Sequence, residues 1–244
     1  MISVISNSIY ALRIRTPLII IINYLIFFLI NPIRYKKNYK VIERFEKKLL
    51  NLIKNKKIIG FTKNNIKYSI PLFHIILKKN YKSKNNLSVL ILGSYEGHST
   101  LFFHLFNKTY KINCVDSWNK SKFKNFNCKA EKYFNKNIIF YKKKIKKIKC
   151  TTKEFFLKNN LNYDFIYLDA SHKSKDVKLD CMNAWKILNI SGIFIINSVF
   201  WREFKDLHDN NLNGINLFLR TMNHNDYQII NITNNFLALK KIAQ

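Results

Sequence analysis

The sequence predicts an α/β fold: a doubly wound, mostly parallel sheet that closes with an antiparallel hairpin and is preceded by helices. Three observations carry this. Short apolar runs without polar alternation recur between Leu87 and Ile196, the pattern of strands covered on both faces. Helical segments separate these runs, and such alternation implies parallel strands joined by crossovers. Near the end, Tyr227–Ile232 and Phe236–Lys240 flank Asn234-Asn235, which reads as a hairpin.

Taken in order, the chain opens with a hydrophobic and basic extension over residues 1–40. Leu18–Ile30 is its most apolar run, bounded by Pro17 and Pro32, with Arg13 and Arg15 before it and Arg34, Lys36, Lys37 and Lys40 after. A spanning helix needs about 20 apolar residues. The run therefore admits three readings: a membrane anchor lying in-plane or spanning briefly, a helix packed on the domain or a partner, or a cleaved signal. Ile30-Asn31-Pro32 offers no small-residue cleavage site for the last. An anionic membrane surface would suit the basic flanks.

Residues 41–86 read as helices that cover the sheet. Val41–Lys54 sets Val41, Ile42, Phe45, Leu49 and Ile53 among charges, an amphipathic helix. Ser69-Ile70-Pro71 starts another, with a capping Ser and a Pro suited to the first turn, and Tyr81–Asn86 is a polar linker. Residues 87–244 then form the main domain.

Leu87–Leu92 is the first strand, and Ser99–Phe106 is a buried helix. Between them lie Gly93 and Gly97, two of only 5 glycines, where backbone without Cβ can turn sharply and approach a ligand. Lys111–Val115 is the second strand. It ends at Asp116, 19 residues past Gly97, the spacing at which nucleotide-type folds place an acid that accepts bonds from ribose hydroxyls. Asn119–Lys136 reads as a helix with exposed loops, Ile138–Tyr141 as the third strand and Lys142–Lys149 as a solvated basic run. Thr151–Glu154 caps a helix over Glu154–Lys158. Asp164–Asp169 is the fourth strand, Lys175–Leu188 a helix, Gly192–Ile196 the fifth strand and Ile215–Met222 the helix before the hairpin.

With 48% hydrophobic and 15% aromatic residues in 244, the chain has the material for a core and is not disordered by composition. The formal charge of +29 invites a nucleic-acid partner. Against it, 37 of the 43 basic residues are Lys, amid abundant Asn, Ile, Phe and Tyr that share AT-rich codons, whereas phosphate sites favour the fork of Arg. Residues 1–158 carry +28 and residues 159–244 only +1, so a basic N-terminal half could rest on a membrane or on nucleic acid. Cys114, Cys128, Cys150 and Cys181 form no Cys-x-x-Cys pair, which points to free thiols in a reducing, cytoplasmic compartment.

Leu-Gly-Ser-Tyr-Glu-Gly-His-Ser at 92–99, Val-Asp-Ser-Trp at 115–118, Asp-Phe-Ile-Tyr-Leu-Asp-Ala-Ser-His at 164–172 and Phe-Trp at 200–201 carry a resemblance. Over about residues 68–240 the chain resembles class I S-adenosylmethionine-dependent methyltransferases, with their Rossmann-like seven-stranded fold. It is most similar to the small-molecule and sugar O-methyltransferase group that includes macrocin O-methyltransferase. The resemblance implies that Gly93, Ser94, Tyr95, Glu96 and Gly97 line the methionine part of the cofactor, that Asp116 holds the ribose and that Ser117 and Trp118 flank the adenosine. It implies His172 as general base and Asp169 as a divalent-cation ligand. An imidazole near neutral pKa can take a hydroxyl proton, and a cation would lower that hydroxyl's pKa.

Three positions depart from the family pattern. Ile91 stands where an acid is usual, Tyr95 occupies the second glycine position, and Asn197 and Ser198 stand where two acidic or amide ligands follow the fifth strand. Neutral side chains hold a hard cation weakly, so Mg²⁺ bound by Asp169 and Asn197 is left open. The rival readings are a nucleic-acid methyltransferase, for which no Asn-Pro-Pro-Tyr-like motif is present, and an inactive, membrane-associated binding protein.

Overall fold

The computed structural model describes residues 2–62, 66–81, 84–119 and 129–243. In chain order the elements are α1 (Ile2–Arg13), α2 (Leu18–Asn38), α3 (Lys40–Lys54), α4 (Ile70–Tyr81), β1 (Ser88–Leu92), α5 (His98–Phe106), β2 (Lys111–Asp116) and α6 (Ala130–Ile138). They continue with β3 (Ile145–Lys149), α7 (Thr152–Lys158), β4 (Tyr163–Leu168), α8 (Ser174–Lys186), β5 (Leu188–Asn197), α9 (Asn211–Leu219), β6 (Tyr227–Ile232) and β7 (Phe236–Lys241). The sheet is seven-stranded in the order β3-β2-β1-β4-β5-β7-β6, parallel except for its C-terminal hairpin strands. The chain divides into two compact units, Ile33–Asn159 and Met1–Pro32 with Asn160–Gln244.

Within Ile33–Asn159, β1 pairs with β2 and β2 with β3, all parallel. Val89, Leu90, Ile91 and Leu92 are buried in succession, as a continuous apolar run requires of a strand covered on both faces. Phe73 and Phe103 have no exposed surface and stack at 6.2 Å, with Phe102 edge-on to Phe103. Burial of each such ring stabilises the unit by roughly 2–3 kcal/mol. The Thr151 cap is present as a capping box: its hydroxyl accepts the Glu154 N–H at 3.2 Å, and the Glu154 carboxylate accepts the Thr151 N–H at 2.8 Å.

One strand assignment is corrected here. Ile138–Tyr141 is the end of α6 and a 3₁₀ turn, and β3 lies in the supposed basic run. The β-branched and aromatic residues Ile138, Ile139, Phe140 and Tyr141 imitate a short strand, but Ile139 and Phe140 are exposed. The true strand ends the sheet order, and Lys146, Lys147 and Lys149 on such an edge discourage pairing with another chain. Cys128 and most of the Lys- and Asn-rich stretch before α6 lie outside the described residues.

In the other unit β4 pairs parallel with β5, and β7 joins β5 and β6 antiparallel. Thr233 closes the hairpin: its N–H bonds the Phe236 carbonyl at 2.8 Å, and its hydroxyl accepts the Asn235 and Phe236 N–H groups at 3.0 Å each. α1 was not expected from the sequence, and α2 runs through Pro32 to Asn38 instead of ending at the proline. Both helices are attached to the C-terminal strands by side-chain amides. Asn31 and Asn231 exchange two hydrogen bonds at 3.0 and 3.1 Å, while Asn7 and Tyr24 both donate to Asn234 Oδ1.

Candidate functional site

The turn after β1 has backbone that glycine alone adopts cheaply: Gly93 has φ +86° and Gly97 has φ +88°. A Cβ on Gly97 would also sit 3.2 Å from the Phe134 ring. Tyr95, between them, is left-handed at φ +45°, and so is Trp118 at φ +46° just beyond β2. Such conformations cost non-glycine residues about 1–3 kcal/mol unless the surroundings fix them.

Asp116 does the fixing. One carboxylate oxygen accepts the Tyr95 N–H and the other the Trp118 N–H, each at 2.8 Å. The Trp118 indole N–H returns to the Tyr95 carbonyl at 2.8 Å, so the turn and the loop brace each other. Each carboxylate oxygen can accept more than one bond, which lets Asp116 hold the turn and still receive hydroxyl donors. Ser94 is buried, and Ser117 is half-buried with its hydroxyl 3.5 Å from the Asn119 N–H. The Trp118 ring is buried beside Phe134, 4.8 Å between centroids, with the Lys147 ammonium 4.8 Å over its face. Lys147 and Lys149 in turn clamp Glu131 at 2.5 and 2.6 Å and hold its carboxyl below the usual range.

Glu96 turns away from the glycine backbone. It is buried, and its carboxylate accepts the Thr62 N–H and hydroxyl at 2.6 Å each. Asn137, also fully buried, donates to the carbonyls of Gly60 and Glu96 at 3.0 and 2.9 Å and accepts the Ile59 N–H at 3.0 Å. His98 stacks between Phe61 at 4.3 Å and Phe45 at 5.9 Å. Residues 59–62 are thus stitched to the turn. The sequence reading missed both Asn137 and Thr62, because an Asn in a Lys- and Asn-rich stretch carries no signal of its own.

The other unit holds the second cluster. Asp169 follows β4, and its carboxylate receives Tyr167 Oη at 3.4 Å and Ser198 Oγ at 3.5 Å, with the Asn197 amide bonded to it as well. Burial pushes the Asp169 carboxyl above the usual range, and the His172 charge and these bonds pull it part of the way back. His172 is half-buried in the loop between β4 and α8. Ser198 is left-handed at φ +59°. Asn211, opening α9, holds that kink by donating to the carbonyls of Asn197 and Ser198 at 2.9 and 2.8 Å. Asn211 is a third residue that sequence reasoning missed, since the apolar run places the start of this helix at Ile215.

The residues present suit S-adenosylmethionine and do not suit a divalent cation. A turn without Cβ at two positions and an acid at the tip of the next strand fit the nucleoside and amino-acid parts of the cofactor. Around Asp169 there is one carboxylate. The Asn197 amide spends its N–H on Asp169 and Ser198, so it faces them as a donor and not as an oxygen ligand. Among the described residues no three His, Cys, Asp or Glu side chains gather. Mg²⁺ takes several hard oxygen donors, and this set does not supply them.

Residues 90–199 match the family model described as a methyltransferase domain. That match covers less than half of the chain, and the seven-stranded sheet around it is a methyltransferase-like fold. Solved structures with this fold include the O-methyltransferase TomG from Streptomyces achromogenes, involved in tomaymycin synthesis, in complex with SAM. It is 10% identical with TM-score 0.54, over 72% of this chain and 80% of that one. An O-methyltransferase from Bacillus cereus in complex with SAH is 11% identical with TM-score 0.53, over 84% and 91%. An rRNA methylase from Streptococcus thermophilus is 10% identical with TM-score 0.50, over 75% and 100%. No curated protein sequence matches the chain. The family match runs from β1 to the turn after β5 and includes residues of both clusters.

Proposed function

We propose that this chain transfers a methyl group from S-adenosylmethionine to a hydroxyl oxygen of a small molecule or sugar, without a divalent cation, through residues 87–244. The observation that carries the reading is the carboxylate of Asp116, which ties the glycine turn to the loop after β2 by two 2.8 Å bonds. In this reading Gly93, Ser94, Tyr95 and Gly97 take the methionine part, Asp116 the ribose and Ser117 the adenosine side, with Glu96 and Trp118 bracing the turn. The cofactor supplies an electrophilic sulfonium methyl when bound.

His172 takes the proton from the acceptor hydroxyl as the new C–O bond forms and the C–S bond breaks, which leaves a neutral thioether and an imidazolium. Asp169, tuned by burial, stabilises that imidazolium. In-line aim of the hydroxyl contributes more to the rate than any single proton transfer.

A macrocin-like sugar acceptor rests on the 92–99 and 164–172 motifs, and the fold likeness to TomG and the Bacillus cereus enzyme supports an oxygen acceptor. A nucleic-acid acceptor is favoured by one observation, the +28 carried by residues 1–158. Calorimetric titration of S-adenosylmethionine into the full chain is the test. Micromolar binding that Asp116→Ala removes, with no response to Mg²⁺, supports the reading, and absent binding rejects it. Release of S-adenosylhomocysteine with hydroxylated acceptors but not with RNA then separates the two acceptor classes.

A further inference from the structure

Helix α2 turns a mixed face inward, apolar with two polar contacts, and an almost wholly apolar face outward, where a surface helix in water would carry charge. Ile20, Ile21 and Tyr24 are buried, and the polar groups of Tyr24 and Asn31 bond to Asn234 and Asn231 of the C-terminal hairpin. Outward, Leu18, Ile22, Leu25 and Leu29 follow one another at helical spacing and are exposed, Leu29 to 72%. Ile19, Ile26 and Ile30 widen the stripe, and α1 adds Ile5, Ile9 and Leu12, all exposed. From Pro17 to Ile33 there is no charged side chain. Exposed basic residues stand at both ends of the helix, Arg13 and Arg15 before it and Lys36 and Lys37 in its last turn.

We infer that α1 and α2 form an in-plane seat for an anionic lipid bilayer, with the apolar face among the acyl chains and the basic ends among the headgroups. Charge complementarity names the partner: a lipid surface with phosphate headgroups matches an apolar strip closed by cations at each end, in a chain of net +29. A second copy is a poorer match. A helix–helix seam is narrow and flanked by charged positions, whereas here more than half the circumference is apolar and uncharged.

By length and composition α2 could cross a membrane. Its inner side is instead committed to the domain. Crossing would expose Asn31 and Tyr24 to lipid and break their hydrogen bonds to Asn231 and Asn234.

The experiment is flotation of the full chain with preformed phosphatidylcholine vesicles, with and without phosphatidylglycerol. Spontaneous binding that needs the anionic lipid and weakens with salt is expected. Leu25→Glu with Leu29→Glu, on exposed positions, should cut the bound fraction at least ~10-fold. Lys36→Glu with Lys37→Glu should cut it by about fivefold per lysine. Unchanged near-ultraviolet circular dichroism shows that each variant is folded. The inference fails if the wild type stays unbound, or if both pairs bind as it does. It also fails if sedimentation shows a dimer that the leucine pair dissociates while vesicle binding is unaffected, because the face would then belong to a second copy.

Discussion

At the scale of single residues, the proposed chemistry rests on two acids in opposite circumstances. Asp116 is stabilised by backbone donors, so its loss acts twice: Asp116→Ala should abolish cofactor binding and also lower stability by about 1–3 kcal/mol, because the Tyr95 and Trp118 N–H groups lose their acceptor. Calorimetry reads the first effect and chemical denaturation the second. Asp169 is the reverse case, an acid whose folded pKa is raised by burial. Such a group binds its proton more tightly folded than unfolded, so stability falls as pH rises from the ordinary carboxyl pKa through the raised one, and the cost is fully present above it. Asp169→Asn is therefore expected to raise Tm at pH 7 while methyl transfer falls, the pattern of a site held at the expense of stability. An unchanged or lowered Tm would remove Asp169 from that role. His172→Ala should cost transfer roughly 10²–10⁴-fold with cofactor affinity intact, as general-base loss does.

At the scale of elements, what the sequence revealed and what it hid follow one rule: periodicity was legible and side-chain partnership was not. β1, β4 and the second half of β5 are buried apolar runs and could be read directly, as could β2, the amphipathic α3 and the capping box of α7, whereas the first half of β5, Leu188–Ser191, is partly exposed and reads as a helix end and turn. β3 was hidden because an edge strand of three Lys and two Ile resembles a charge run, and the 3₁₀ turn before it resembles a strand. Asn137, Asn211 and Asn231 were hidden for a different reason. A buried Asn is recognised by its neighbours in space, at separations of 41 residues for Glu96 and 200 for Asn31. The turn itself is rigidly specified. Gly97→Ala should destabilise by at least 1 kcal/mol, since it adds positive-φ strain to a 3.2 Å contact with Phe134, and a denaturation midpoint unchanged from wild type would contradict the geometry. Deletion of residues 1–33 removes α1 and most of α2, whose Ile20, Ile21 and Tyr24 are buried. That truncation should lower Tm sharply, and a version that melts like the full chain would show the helices to be an appendage.

At the scale of the whole molecule, pH acts through one buried and one half-buried imidazole. His104 and His74 have pKa values lowered by burial and by neighbouring cations, Lys108 and Lys144 for the first and Lys78 and Arg44 for the second. A lowered histidine binds fewer protons folded than unfolded, so stability is complete above about pH 6.5 and is lost as pH falls below it. Melting temperatures measured from pH 8 down to pH 5 should hold level and then decline, and His104→Leu should flatten the decline. The excess of positive charge works in the same direction, through self-repulsion that salt relieves.

The joints that hold α1 and α2 to the C-terminal hairpin are made of carboxamides and one phenol: Asn7, Asn31, Asn231, Asn234 and Tyr24. None of these groups carries charge near neutral pH. Salt cannot screen them and mild acid cannot titrate them, whereas attachment of the outer face to a charged surface would weaken with salt. In the proposed membrane seat the helix pair would have two contacts governed by different variables: one to the hairpin, set by neutral hydrogen bonds, and a reversible one outward, set by ionic strength. A wash in concentrated salt would release the protein from such a surface with its helices still in place, ready to rebind on dilution.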